Sequence, residues 1–286
     1  MMLKINQVSY RYPKSHHQTL TELDFAVSEG EIFGFLGPSG AGKSTVQKIL
    51  IGLIKDYQGS AIVNGHEIRE TTSDFYEQIG VAFEFPNFYS KFTAIENLKL
   101  FSKFYKSKGI EPLNLLKQVG LEEAAQMKAS ALSKGMKMRL NFARALLHDP
   151  DILFLDEPTS GLDPTNARMI INHILNLKQQ GKTVVITTHN MHIAEEICDR
   201  VAFIVDGKVE LIDSPQKLMR ERSKQTLHLT FQKASGSVSS LTLSTINLAN
   251  DPTFMEILKS NRLISMYTEE ATLEDVFIEV TGRKLT

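Results

Sequence analysis

The chain carries one cysteine, Cys198, so no intramolecular disulfide is possible and a reducing cytosol suits it. No stretch approaches the ~20 apolar residues needed to cross a bilayer. The start, Met1 to Val8, alternates in polarity and lacks the apolar core of a secretory signal. Any work at a membrane would then need another chain to supply the spans. Excess charge is missing too: 32 Lys and Arg face 33 Asp and Glu, for a formal net charge of −1. No global basic field recruits nucleic acid or anionic lipid, and nucleic acid is not an expected partner. Internal repeats and long low-complexity tracts are also absent.

What is present is a globular composition. The 286 residues are 42% apolar, enough for one large domain, or one domain plus a smaller appendage. The organising stretch is Gly37-Pro38-Ser39-Gly40-Ala41-Gly42-Lys43-Ser44-Thr45, which fits G-x-x-x-x-G-K-[ST]. Glu31 to Leu36 before it reads as a buried strand. Thr45 to Leu53 after it has helical spacing and a stop at Gly52. Strand, glycine loop and helix form the context in which backbone N–H groups cradle phosphates. Lys43 then places an ammonium near the β- and γ-phosphates, and Ser44 offers a hydroxyl to Mg²⁺.

Leu3 to Tyr10 and Leu20 to Val27 alternate like two strands of an antiparallel hairpin. The loop between them holds Tyr12, as readily a platform for a flat base as a cap on the sheet. It also holds His16 and His17, which read as solvated. Gly59 to Gly65 and Ile79 to Phe83 read as strands, and Pro86 ends regular structure after the second. From Thr93 to about Leu147 the pattern is helical and interrupts an otherwise alternating αβ chain. Ile152 to Leu155 and Thr183 to Thr188 read as buried parallel strands. Between them a helix starts at Asp163-Pro164. Arg200 to Ile212 reads as a hairpin turned at Asp206-Gly207. After about Arg222 the composition shifts. Gln225 to Phe231 alternates like an edge strand, Ala234 to Ser240 is rich in Ser and Gly, and Leu241 to Leu248 is strand-like. Pro252 to Ser260 and Leu273 to Val280 read as helices flanking a strand, Leu263 to Thr268.

Two carboxylates, Asp156 and Glu157, end a buried strand. Such a pair is costly without a metal or partner. Asp156 is placed to hold Mg²⁺, and Glu157 to polarise the attacking water as general base. His189 also ends a strand, and strand C-termini line the crevice of a parallel sheet. It is a candidate γ-phosphate contact.

In this order, the motifs over residues 1 to about 222 resemble the nucleotide-binding subunit of an ATP-binding-cassette transporter. That family carries LSGGQ at the start of a helix in its helical insertion. Here the motif reads Leu132-Ser133-Lys134-Gly135-Met136, departing at Lys134 and Met136. The resemblance implies that Ser133 and Gly135 complete the ATP site of an opposite subunit, and that Ser160 to Asp163 lies across the dimer seam. It implies that Tyr12 stacks on adenine. Glu84 stands where the family often has glutamine, in the loop coupling Mg²⁺ to the membrane subunit. The segment Ala271 to Phe277 resembles the C-terminal part of ABC-2-type exporter ATPases.

The expected fold is α/β: a P-loop NTPase with a mainly parallel sheet, an antiparallel β subdomain and a helical insertion at about 87–147. A small α+β appendage is expected at 223–286, after an ATPase domain at 1–222. The expected activity is ATP hydrolysis powering export through a separate integral-membrane permease, at the cytoplasmic face of the membrane. The partner ATPase subunit is a second copy or a related chain. The contrasting reading is a soluble ABC-fold ATPase of the translation or DNA-repair type. Such proteins usually carry paired cassettes, coiled-coil insertions or basic arms, and none is visible here.

Overall fold

Strands in this chain carry two main burial signatures, one alternating and one continuous. A computed structural model describes residues 1–107 and 109–283. Strands β1 (Leu3–Tyr10) and β2 (Leu20–Val27) pair antiparallel, with Leu3 opposite Val27 and Tyr10 opposite Leu20. Alternation buries Leu3 and Ile5 on one strand and Leu23, Phe25 and Val27 on the other, and a register shift after Ile5 brings Val8 to the buried face as well. One-sided burial of this kind is what period-2 patterning encodes.

β3 (Ile32–Leu36) is different, with all five residues buried. It feeds the glycine loop and helix α1 (Lys43–Leu50). β4 (Gln58–Val63) returns to the antiparallel sheet beside β1, and the short β5 (His66–Glu67) completes it in the order β2-β1-β4-β5. The single-turn α2 (Ser73–Tyr76) leads into β6 (Ile79–Ala82).

The helical insertion follows as α3 (Ala94–Ser102), α4 (Pro112–Gln118) and α5 (Lys134–Ala145). Each starts on a side-chain cap. Thr93 and Glu96 form a capping box on α3, and Glu111 and Ser133 accept the N–H of Asn114 and Met136 on the other two.

β7 (Ile152–Asp156) and β8 (Thr183–Thr188) flank helix α6 (Pro164–Gln179), which Asp163 caps with proline at its first turn. Helix α7 (Met191–Ile197) leads to the hairpin of β9 (Arg200–Val205) and β10 (Lys208–Asp213). Asp206 and Gly207 at its turn both have positive φ, 48° and 75°, as the right-handed strand twist requires. The six strands run in the order β10-β9-β3-β8-β7-β6, parallel except for β10 at one edge.

Register decides where chemistry can gather. Leu36 of β3 pairs with Thr188 of β8, and Asp156 of β7 pairs with Thr187. The carboxyl ends of three parallel strands therefore lie side by side, at the edge where α/β sheets bind ligands. The core beneath is aromatic: Phe25 and Phe33 stack at 5.8 Å, and Phe35 meets each edge-on at 5.2 Å.

The chain divides into two compact units, Met1–Ser214 and Pro215–Gly282, apart from the terminal residues. The second unit contains α8 (Pro215–Arg222), β11 (Thr226–Gln232), β12 (Val238–Ser244), α9 (Pro252–Ser260), β13 (Arg262–Thr268) and α10 (Leu273–Thr281). Its sheet order is β12-β11-β13, which corrects the edge reading of Gln225 to Phe231: that strand is central. Leu227, Leu229 and Phe231 are buried and the residues between them half-exposed, so the alternation reports one covered face. The strand expected from Leu241 begins inside the Ser/Gly-rich stretch instead. β12 begins at Val238, where Ser239 and Ser240 pair with Phe231 and Thr230. Backbone hydrogen bonding to a neighbour overrides the weak strand propensity of serine.

Candidate nucleotide site

The glycine loop takes its shape from contacts that no side chain would permit. A Cβ on Gly37 would lie 2.1 Å from the carbonyl oxygen of Ile204. Gly42 caps α1 at φ +109°, in the left-handed region, and a Cβ there would lie 2.7 Å from Leu20 Cδ2. Lys43 folds back over the loop, donating to the carbonyls of Gly37 at 2.6 Å and Pro38 at 2.9 Å. Burial lowers the pKa of its ammonium, while Glu157, Asp156 and Glu84 act in the other direction.

Asp156 closes β7 and accepts the hydroxyl of Thr187. Burial raises its carboxyl pKa; the Thr187 hydrogen bond opposes this, Glu157 adds to it, and Lys43 opposes it. Glu157 is 8% exposed, and three donors hold its carboxylate. These are Thr188 Oγ1 at 3.0 Å, the His189 N–H at 2.9 Å and His189 Nδ1 at 2.6 Å. Its backbone sits at φ +47°, a left-handed conformation that costs a non-glycine residue about 1–3 kcal/mol and gathers at functional sites.

These groups surround one cavity of about 490 Å³, within the range of small-molecule sites. The loop contributes Ser39, Gly40, Gly42, Lys43, Ser44 and Thr45. Glu84, Asp156, Glu157 and His189 line it as well. Gly37, Pro38 and Ala41 complete the loop without lining the cavity. Tyr12 also lines it, edge-on to Tyr10 at 4.9 Å, with its hydroxyl 3.3 Å from Thr45 Oγ1. Six of the eleven sequence-predicted residues lining it thus come from one local motif and five from segments distant in sequence.

Two contributors escaped sequence reasoning. Thr19 lines the cavity with no motif to mark it. Thr188 is buried and orients Glu157; its signal was a hydroxyl directly before His189 at the end of an apolar strand.

Three predicted residues lie elsewhere. Ser133 caps α5, and Asp163 caps α6 through the Asn166 N–H at 3.0 Å. A Cβ on Gly135 would lie 3.4 Å from Leu162, and one on Gly161 2.8 Å from Lys134 Cε. The stretches 132–136 and 160–163 therefore abut each other, and none of Ser133, Gly135 or Asp163 lines the cavity.

The donor set around Ser44, Glu84 and Asp156 is all oxygen, as Mg²⁺ requires. Among the described residues no three His, Cys, Asp or Glu side chains cluster as a self-sufficient metal site.

A glycine loop on a helix N-terminus, a lysine folded over it and a paired carboxylate strand end define a P-loop nucleotide hydrolase. The particular family follows from comparison with known proteins. Residues 20–160 match the family model described as ABC transporter. The chain is 47% identical to a fluoroquinolones export ATP-binding protein of Mycobacterium tuberculosis, over 100% of this chain and 95% of that one. It is 34% identical to the Nod factor export ATP-binding protein I of a Rhizobium species, covering 92% of each. Among solved structures, a dimeric ATP-binding cassette in a post-hydrolysis state with ADP and Pi superposes with a TM-score of 0.68 at 30% identity. That likeness covers 74% of this chain and 98% of the cassette. The chain belongs to the ATP-binding subunits of ABC transporters. It binds ATP and is an ATPase.

Proposed function

We propose that this chain is the motor of an ABC-2-type exporter, resting on the cytoplasmic face of the membrane through an integral-membrane permease. Among the described residues no helix is long and apolar enough to cross a membrane, so the span falls to that partner. Ser44, Asp156 and Glu84 hold Mg²⁺, which neutralises phosphate charge when bound. Lys43 and the glycine loop grip the β- and γ-phosphates, and Tyr12 stacks on adenine. Glu157 takes the proton of the attacking water at its carboxylate, and Thr188 and His189 keep that carboxylate aimed.

Ser133 and Gly135 serve the cavity of a second subunit, identical or related, with Asp163 at the seam. Their absence from the cavity of their own chain favours this reading. Closure over ATP and reopening after hydrolysis pass to the permease through residues 84–89. The second unit, Pro215–Gly282, is an accessory domain. The export names of the relatives at 47% and 34% identity favour transport over a soluble translation or repair role.

The observation that carries the catalytic assignment is the threefold fixing of Glu157 at the cavity wall. The variant Glu157→Gln tests it. Phosphate release should fall by roughly 10²–10⁴-fold while ATP binding persists and dimer accumulates. Wild-type turnover in that variant would remove Glu157 as the base.

A further inference from the structure

Arg144 on α5 has an environment that the nucleotide chemistry does not explain. It lines a separate cavity of about 340 Å³ with Asn87, Phe88, Tyr89 and Phe101. The guanidinium stands 5.3 Å from the centre of the Phe88 ring and 5.1 Å from that of Phe101. It donates to the Asn87 carbonyl at 3.2 Å and to Asn141 Oδ1 at 2.7 Å, both neutral acceptors. No carboxylate among the described residues pairs with it. Burial lowers its pKa, and only the Tyr105 phenol acts against that. A guanidinium has five donors, and buried cations are normally matched by an anion. Here the cation is part-desolvated, framed by aromatic faces, and lacks its counter-charge.

The surface around it is apolar and exposed. Phe85 is 73% exposed, Tyr89 53%, Phe92 42% and Phe104 66%. Three of these rings run together through Phe101: Tyr89 to Phe92 at 5.5 Å, Tyr89 to Phe101 at 6.2 Å, Phe101 to Phe104 at 6.1 Å. A contiguous aromatic patch marks a protein contact, and aromatic residues with arginine are the anchors of such contacts. One arginine is too few for a lipid surface, which needs a cluster of basic residues. A planar fork with spare donors suits a carboxylate, which it can bind through two parallel hydrogen bonds.

We propose that Arg144 receives the carboxylate of an Asp or Glu on a cytoplasmic segment of the integral-membrane subunit. Apolar neighbours of that residue pack on Tyr89, Phe92 and Phe104. The inference rests on the reading of residues 84–89 as the surface that meets the permease, and adds the chemistry by which the partner is recognised. The ion pair forms only as the aromatic patch excludes water, so it selects a partner with acid and apolar residues in one helical turn.

The test uses the full chain in membranes of its own host. Tyr89→p-benzoylphenylalanine is irradiated, and the cross-linked peptide is sequenced. The expected adduct is an integral-membrane protein with Asp or Glu within about four residues of the linked position, one helical turn. Changing that acid to Lys in the partner should cut the membrane-retained fraction of this chain by about tenfold or more. Adding Arg144→Glu should restore it. The partner-side change leaves this chain intact, so misfolding of an Arg144 variant cannot mask the result, and ATP binding by Arg144→Glu serves as the folding control. An adduct lacking a nearby acid, or unchanged retention after the partner's acid is replaced, overturns the carboxylate inference and leaves the groove reading standing. An adduct formed only with phospholipid or a second copy of this chain overturns the groove reading as well.

Discussion

Glu157 Oε1 is joined to His189 twice, by the ring Nδ1 at 2.6 Å and by the backbone N–H at 2.9 Å. The carboxylate is therefore held by the strand end that follows β8 while its own strand end belongs to β7. Aim, more than presence, distinguishes this carboxylate from a solvated one, and a base must be aimed to act.

His189→Ala removes one of the three donors and should lower kcat on the order of tenfold to a hundredfold. The KM for ATP should change little, because the positioning acts on Glu157. His189→Asn, whose side-chain amide can replace the Nδ1–H donor, should recover part of the loss. Steady-state phosphate release against ATP concentration separates the two parameters. A shift confined to KM would place His189 in substrate binding alone.

Lys43→Met removes the only ammonium lining the cavity among the described residues and leaves Asp156 and Glu157 less opposed. ATP affinity should fall by at least about tenfold. Fluorescence titration with a labelled ATP analogue reads it directly.

Gly42→Ala forces a Cβ into a left-handed cap and against Leu20. The expected cost is about 1–3 kcal/mol of stability together with loss of ATP binding. Thermal unfolding with and without ATP measures both, and the ligand-induced rise in Tm should vanish.

Glu67 supports the antiparallel sheet from outside the site. Tyr57 Oη donates to it at 2.7 Å and Ser60 Oγ at 2.6 Å. Burial alone would raise its pKa, but hydrogen bonds from Ser60, Tyr57 and the Ala61 N–H, with the Arg69 charge, hold it below the ordinary 4.5. A depressed folded pKa means the unfolded chain binds the proton more readily. The stabilisation is thus present above pH 4.5 and disappears as pH falls through the lower folded value. Glu67→Gln should cost about 1 kcal/mol at neutral pH, allowing for partial solvent screening, and nothing in strong acid. Urea unfolding of both proteins across that range checks the sign.

Leu229 is fully buried in a cluster with Leu227, Phe231 and Ile257 that shares no residue with the core beneath the nucleotide site. Leu229→Ala should destabilise the Pro215–Gly282 unit by about 2–5 kcal/mol and leave ATP affinity unchanged. Limited proteolysis alongside ATP titration tells the two effects apart.

Legibility in the sequence followed distance along the chain. The segment 37–45 carries its own meaning, because loop, lysine and helix start are contiguous. The caps at Thr93 and Asp163 are equally local, and both helices begin beside them. Asp156 and Glu157 stood out because two acids end an apolar strand. The strained backbone of Glu157 gave no such signal, since glutamate has no special tolerance for φ +47°. The lone cation at Arg144 was hidden too, because its aromatic frame comes from residues 88 and 101, on the far side of the insertion.

The sequence by itself determined which faces are buried, where helices begin, and that one loop binds phosphate, because periodicity, capping and glycine conformation are properties of neighbouring residues. Only the tertiary structure decided that β3, β7 and β8 lie side by side, so that Lys43, Asp156, Glu157 and His189 share one cavity. It also decided that β11 is central and that Ser133 and Asp163 stand away from their own chain's site. Strand neighbours are chosen by crossover connections and by packing between distant segments, and a single strand's pattern holds no record of either.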